Sequence, residues 1–202
     1  MTKLRLAILI SGRGSNMEAI LKATQDADYP VKPVLVLSNK PNAQGLEIAK
    51  TYSVETLTVD HRTFGKEREA FEREMHVALT NARIDIIALA GFMRVLTPWF
   101  VREWSGRMVN IHPSLLPKYT GLDTHQRAIR AGDTHTGCSV HWVTEDVDEG
   151  GVIAQDRIEI KPTDTAETLA QRLLPVEHNL YPRALAMAAK QITPRIYAAQ
   201  NC

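Results

Sequence analysis

Asn110 and His112 stand two positions apart in a short β-rich run, Met108 to His112, that ends at Pro113. Side chains on a strand alternate with period two, so this carboxamide and this imidazole leave the same face and can converge on one atom. The pairing suits acyl transfer, in which the amide donates to a developing oxyanion and the imidazole donates or carries a proton. A histidine at a strand end that serves packing alone has the same spacing. A second candidate is Ser11-Gly12-Arg13-Gly14-Ser15-Asn16, where the first strand hands over to the first helix. Free amides and the helix dipole make such a turn an anion pocket, suited to a phosphate monoester. A tight glycine turn without a ligand reads the same way. The dinucleotide fingerprint fails, because Met17 holds the place of its third glycine and Leu37-Ser38-Asn39-Lys40 ends the second strand without an acidic residue. No Gly-Lys-Ser/Thr follows to make a P-loop. A third candidate is the acidic turn with Asp146, Asp148 and Glu149 before Gly150 and Gly151. A carboxylate beside a histidine favours the charged ring and can orient it. Nothing local selects which of the three faces inward, and a solvated hairpin tip has the same composition.

The elements that must position these groups follow from hydrophobic patterning. Leu4 to Ser11 is a near-continuous apolar run, as expected for a strand buried on both faces of a parallel sheet, and Ser15 to Thr24 carries Met17, Ile20 and Leu21 at helical spacing. The alternation continues with strands at Val31 to Ser38, Val54 to Val59, Ile84 to Ala90 and Met108 to His112. Helices are predicted at Ala43 to Tyr52, Lys66 to Ala82, and from a Thr97 cap with Pro98 in the first turn to about Arg102 or Trp104. Pro113, Pro117 and Gly121 force irregular backbone before a short helix, Thr124 to Ala131. Thr136 to Thr144 and Val152 to Ile160 are joined by too few residues for a crossover helix, so they form an antiparallel pair. A last helix starts at Asp164, with Pro175 and Pro182 expected to kink or break it. The pattern predicts one domain, 1–202, of the α/β class: a doubly wound, mostly parallel sheet with an antiparallel C-terminal strand pair.

Composition narrows the class of function. Among 202 residues, 24 Lys and Arg face 23 Asp and Glu, a net charge of +1, so no global field draws nucleic acid or an anionic membrane. Any phosphate must be caught locally. No run approaches the roughly 20 apolar residues that cross a bilayer, and the N-terminus lacks a signal-peptide pattern. The two cysteines, Cys138 and Cys202, are expected to be free thiols in a cytoplasmic protein. His125, His135 and His141 make no zinc spacing, so no metal is expected. Gly91-Phe92-Met93-Arg94-Val95-Leu96 suits either an aromatic-ring pocket or core with Arg94 at its rim, and the charge run Lys66 to Arg73 reads as an exposed helix face with Glu–Arg pairing.

Four motifs together, Ile10 to Asn16, Leu89 to Arg94, Asn110 to Pro117, and Gly137 to His141 with Val147 to Gly150, resemble the folate-dependent formyltransferase family. The resemblance runs from the first strand to about Pro182. It implies a Rossmann-like formyltransferase fold and a one-carbon group transferase with 10-formyltetrahydrofolate as co-substrate and neither metal nor NAD. The first motif points, within the family, to members that formylate the amine of glycinamide ribonucleotide in de novo purine (IMP) biosynthesis. Carried onto this chain, the family's catalytic trio falls on Asn110, His112 and Asp148, with Asp148 keeping His112 charged. Its substrate phosphate loop falls on Gly14, Ser15 and Asn16, with Glu177 as a further substrate contact. Its folate contacts fall on Arg68, Met93, Arg94, Val95, Leu96, Asn110, Thr144, Glu145, Asp146 and Val147. Departures from the family pattern stand at Thr120, Asp123 and Pro175. The resemblance implies no nucleic-acid or membrane partner and a monomer or homodimer. Formyltetrahydrofolate hydrolase and methionyl-tRNA formyltransferase are related alternatives whose additional domains and, for the latter, basic surface do not match 202 residues at +1. A non-catalytic phosphate- or dinucleotide-binding module is the alternative from another class.

Overall fold

Seven strands form one sheet in the order β3-β2-β1-β4-β5-β6-β7. The computed structural model describes residues 3–200, with side chains through residue 192. The strands are β1 Leu4–Ile10, β2 Val31–Ser38, β3 Glu55–Thr58, β4 Ile86–Leu89, β5 Met108–His112, β6 His135–Trp142 and β7 Val152–Glu159. The first five pair in parallel, whereas β6 runs antiparallel to both β5 and β7. The antiparallel β6–β7 pair expected from sequence is present, β6 also opposes β5, and the register sets His141 opposite Asn110 and Ser139 opposite His112.

Helices α1 Ser15–Ala23, α2 Gln44–Thr51, α3 Arg68–Asn81, α4 Pro98–Glu103, α5 Thr124–Arg130 and α6 Ala166–Gln200 cover the sheet. Two apolar cores result. One joins alternate residues of β1, β2 and β4 to Met17, Ile20, Leu173, Tyr181 and Leu185 of α1 and α6. The other joins the opposite faces of those strands to Phe71, Met75 and Leu79 of α3 and Phe100 and Trp104 near α4. Strands buried on both faces explain the unbroken apolar runs.

The last helix starts at Ala166 and continues through Pro175 and Pro182, where the sequence predicts a kink or break. A proline inside a helix costs about 3 kcal/mol. Pro175 is exposed and Pro182 half-exposed, while Leu173, Leu180, Tyr181, Ala184 and Leu185 on the inner face are buried. Each large apolar side chain buried there returns about 1.5–3 kcal/mol, so packing outweighs the local penalty. Tyr181 fixes the helix to the sheet centre: its buried hydroxyl lies 2.9 Å from the Leu89 carbonyl and 3.2 Å from that of Val109. Replacing Tyr181 with Phe should lower unfolding stability by about 1–2 kcal/mol, read as a lower urea midpoint at unchanged m-value.

Candidate active site

Asn110 and His112 leave the same face of β5, as their spacing predicts, and His141 of β6 joins them from the neighbouring strand. Asp148 reaches the group from the turn between β6 and β7. Its carboxylate lies 3.2 Å from His112 Nδ1 and 3.5 Å from His141 Nε2, and accepts the Gly121 amide at 2.9 Å. Of the three acidic candidates in this turn, Asp148 is the one turned inward, with its side chain 9% exposed; Asp146 and Glu149 stay in solvent. The turn adopts this path because Asp148 itself takes a left-handed conformation, φ 59°, and Gly150 follows against the Trp142 carbonyl, where a Cβ would come within 1.7 Å.

Burial acts to raise the Asp148 pKa, but the His141 hydrogen bond, the Gly121 amide and the two nearby imidazoles outweigh it, leaving the carboxyl below its ordinary value. His112 Nε2 meets the Tyr119 carbonyl at 2.8 Å. A carbonyl oxygen only accepts, so Nε2 is the donor in this contact. Asn110 Nδ2 lies 3.3 Å from the same His141 Nε2; a ring nitrogen that donates to Asp148 cannot also accept from the amide, so the Asn110 N–H groups serve other partners.

These side chains form one wall of a cavity of about 420 Å3. Phe92 to Leu96 make a second wall and Val143 to Val147 a third. The expected folate contacts Met93, Arg94, Val95, Leu96, Asn110, Thr144, Glu145, Asp146 and Val147 all lie on it. Arg68 does not line the cavity; its guanidinium donates to the Val95 carbonyl at 2.6 Å from behind.

Gly14, Ser15, Asn16 and Glu177 are gathered elsewhere. Gly14 is the residue before α1, at φ 76°, and a Cβ there would lie 2.9 Å from Gly45 Cα, so both conformation and space require glycine. The first-turn amides of α1 lack intrahelical partners. Asn16 Nδ2 donates to Glu177 Oε2 at 2.7 Å, whereas Asn16 Oδ1 is buried with no hydrogen-bond partner. Burial raises the Glu177 pKa despite the Asn16 bond. None of these four lines the cavity of Asn110 and His112, but the two regions join through the Ser11 amide, which donates to the Gly91 carbonyl at 3.1 Å. At the end of β2, Asn39 is spent on Ser11 and His61, not turned out toward a ribose. Cys138 is buried and free, its thiol pushed up to about 12 chiefly by burial, so it is not an activated nucleophile; Cys202 lies outside the described residues.

Residues 4–185 match the family model described as formyl transferase. The chain belongs to the formyl transferase family. It is 49% identical over 185 residues to the trifunctional purine biosynthetic protein adenosine-3 of Drosophila melanogaster, an alignment that covers 91% of this chain and 14% of that protein. It thus spans a small part of its trifunctional relatives' length. It is 40% identical over 186 residues to phosphoribosylglycinamide formyltransferase of Escherichia coli (strain K12), covering 92% of this chain and 87% of that one. The crystal structure of phosphoribosylglycinamide formyltransferase from Brucella melitensis superposes with a TM-score of 0.88 at 46% identity, covering 93% of this chain and 96% of that chain.

Sequence reasoning about this formyl transferase family member did not single out His141, the Tyr119 carbonyl or the Gly121 amide as members of the site. His141 closes the Gly137 to His141 motif, but its place beside Asn110 follows only from the β5–β6 register, and backbone groups carry no sequence signal.

Among the described residues no group of His, Cys, Asp or Glu is arranged to hold a metal ion, and no helix is long and apolar enough to cross a membrane. Asp148→Asn offers a clean test of the buried charge, since asparagine tolerates the left-handed backbone. A carboxyl whose folded pKa is depressed contributes stability above its unfolded value, about 3.9, and loses it as pH falls through the folded value. The variant should therefore be less stable than wild type at pH 7, with the gap between their urea midpoints narrowing below about pH 4.

Proposed function

We propose that the chain transfers the formyl group of 10-formyltetrahydrofolate to the amino group of 5'-phosphoribosylglycinamide, the phosphoribosylglycinamide formyltransferase step of de novo purine (IMP) biosynthesis, as a single cytoplasmic formyltransferase domain. The observation that carries the reading is the convergence of Asn110, His112 and Asp148 on one wall of the cavity. Its other walls, residues 92–96 and 143–147, carry mostly apolar side chains, a lining suited to a flat ring. The second substrate's phosphate is assigned to the amides of Gly14, Ser15 and Asn16, where helix dipole and free N–H groups favour an anion. The unpartnered Asn16 Oδ1 and the Glu177 carboxyl beside it then offer acceptors to the donors of the glycinamide portion.

In this reading Asn110 and His112 donate to the formyl oxygen as the substrate amine adds to the formyl carbon and negative charge builds on that oxygen. Their N–H groups are fixed before charge appears, which makes them worth more than water molecules that must reorient. His112 has to exchange the Tyr119 carbonyl for that oxygen, so the segment around Tyr119 shifts when substrate binds. Asp148 stabilises the imidazolium from the other side of the ring. As the bond from the carbon to the folate nitrogen breaks, the proton lost by the amine ends on that nitrogen, carried by His112 or a water it holds. The formyl group is already activated on its carrier, so positioning, oxyanion stabilisation and proton transfer suffice.

The protein is incubated with 10-formyltetrahydrofolate, with and without glycinamide ribonucleotide, while tetrahydrofolate release is followed. Release that depends on the nucleotide is expected; release independent of it would mean hydrolysis, and none at all would leave a binding module. His112→Ala should lower kcat by at least about 10³-fold without loss of the folded state; near-wild-type turnover would contradict the assignment.

A further inference from the structure

The cavity wall at Met93 to Leu96 presents a physical puzzle. Met93 is 67% and Val95 60% exposed, and the segment belongs to neither strand nor helix, so nothing in its own conformation holds it still. Its backbone is nonetheless tied at every second residue from outside the cavity. The Met93 amide donates to Ser11 Oγ at 2.8 Å, and that hydroxyl donates onward to Asn39 Oδ1 at 2.6 Å. Arg68 holds the Val95 carbonyl. Glu72 accepts from the Thr97 amide at 2.9 Å and from the Thr97 hydroxyl.

Glu72 is the unusual member. It is 1% exposed, in a stretch of sequence whose other charges stay in solvent. Phe71, Met75 and Leu79 already supply the apolar face of α3, so packing alone would be served better by an apolar side chain here. A buried carboxyl costs stability unless donors meet it. Burial pushes its pKa up, against the two Thr97 bonds and the charge of Arg68. Arg68 and Glu72 are four residues apart and share one face of α3. They reach the carbonyl of residue 95 and the amide of residue 97, so one helix grips two sites of the same loop.

Resting on the formyl-transfer reading, we propose that Glu72 is a positioning residue for the folate. Through Thr97 it fixes the far end of the segment 93–97, so that the peptide edges and side chains meeting the ring stand in place before the ring arrives. A wall ordered in advance loses little conformational freedom on binding, and the gain falls on the ligand that touches it. The ribonucleotide, assigned to the loop before α1, receives none of this benefit.

The test uses the full chain with Glu72→Ala and, as a fold-preserving companion, Glu72→Gln. Both should raise KM for 10-formyltetrahydrofolate by about tenfold, the equivalent of one hydrogen bond to a charged group. The kcat value and KM for the ribonucleotide should stay within about twofold, as for the loss of uniform binding of one substrate. Amide hydrogen exchange at residues 95–97 should speed up in both variants. Faster exchange with an unchanged folate KM would overturn the proposal, as would parallel losses in both KM values and kcat. If the wild-type protein transfers no formyl group, the reading of the site fails and the proposal with it; if the wild type is active, the folate KM measured against kcat and the ribonucleotide KM decides.

Discussion

A carboxylate nine-tenths withdrawn from water must be met by donors, and the Asp148 cluster is the constraint around which the active-site end of this fold is arranged. Two imidazoles and a backbone amide converge on it from three separate parts of the chain: β5, β6 and the loop before α5. Removing any donor leaves a buried charge underpaired, a far larger cost than a surface ion pair returns. The same arrangement leaves His112 with acceptors at both nitrogens and Asn110 beside His141. In the proposed reaction, structure and chemistry would therefore draw on one network: the charge that secures the turn would also stabilise the imidazolium during transfer.

The rest of the site is built by rigid elements pressing on loops. The carboxyl ends of β1 and β4 deliver Ser11 and Gly91 side by side, as open α/β sheets do at the edge where they bind ligands. Ser11, Arg68 and Glu72 then tie a loop that has no secondary structure of its own. The glycine-rich turn before α1 is packed against Gly45 so closely that its path has little alternative. Groups proposed to meet a substrate in fixed geometry are thereby carried by segments whose backbone hydrogen bonds are made elsewhere.

Much of this was legible in the residues. Four of the five parallel strands, β1, β2, β4 and β5, are visible as largely apolar runs because most of their residues are buried, whereas the edge strand β3 is half-exposed, and Thr97 with Pro98 marks the start of α4 as caps do. Period-two alternation was enough to put Asn110 and His112 on one face. What stayed hidden depended on contacts distant in sequence. The antiparallel pairing of β6 with β5 made His141 a neighbour of Asn110, and no local pattern specifies a partner strand. Asp146, Asp148 and Glu149 are equivalent until the turn's backbone turns one of them inward. Glu72 looked like part of a solvated charge run because helical periodicity does not say which polar residue meets a loop from elsewhere. The prolines of α6 follow local rules that tertiary burial overrides.

The most direct measurement is a crystal structure of the protein with a stable 10-formyl folate analogue and glycinamide ribonucleotide bound together. The account predicts the formyl oxygen about 2.7–3.1 Å from donors on both Asn110 and His112, the ring against residues 92–96 and 143–147, and the phosphate on the amides of residues 14–16. A formyl oxygen touching neither side chain, or a folate ring seated outside that cavity, would contradict it.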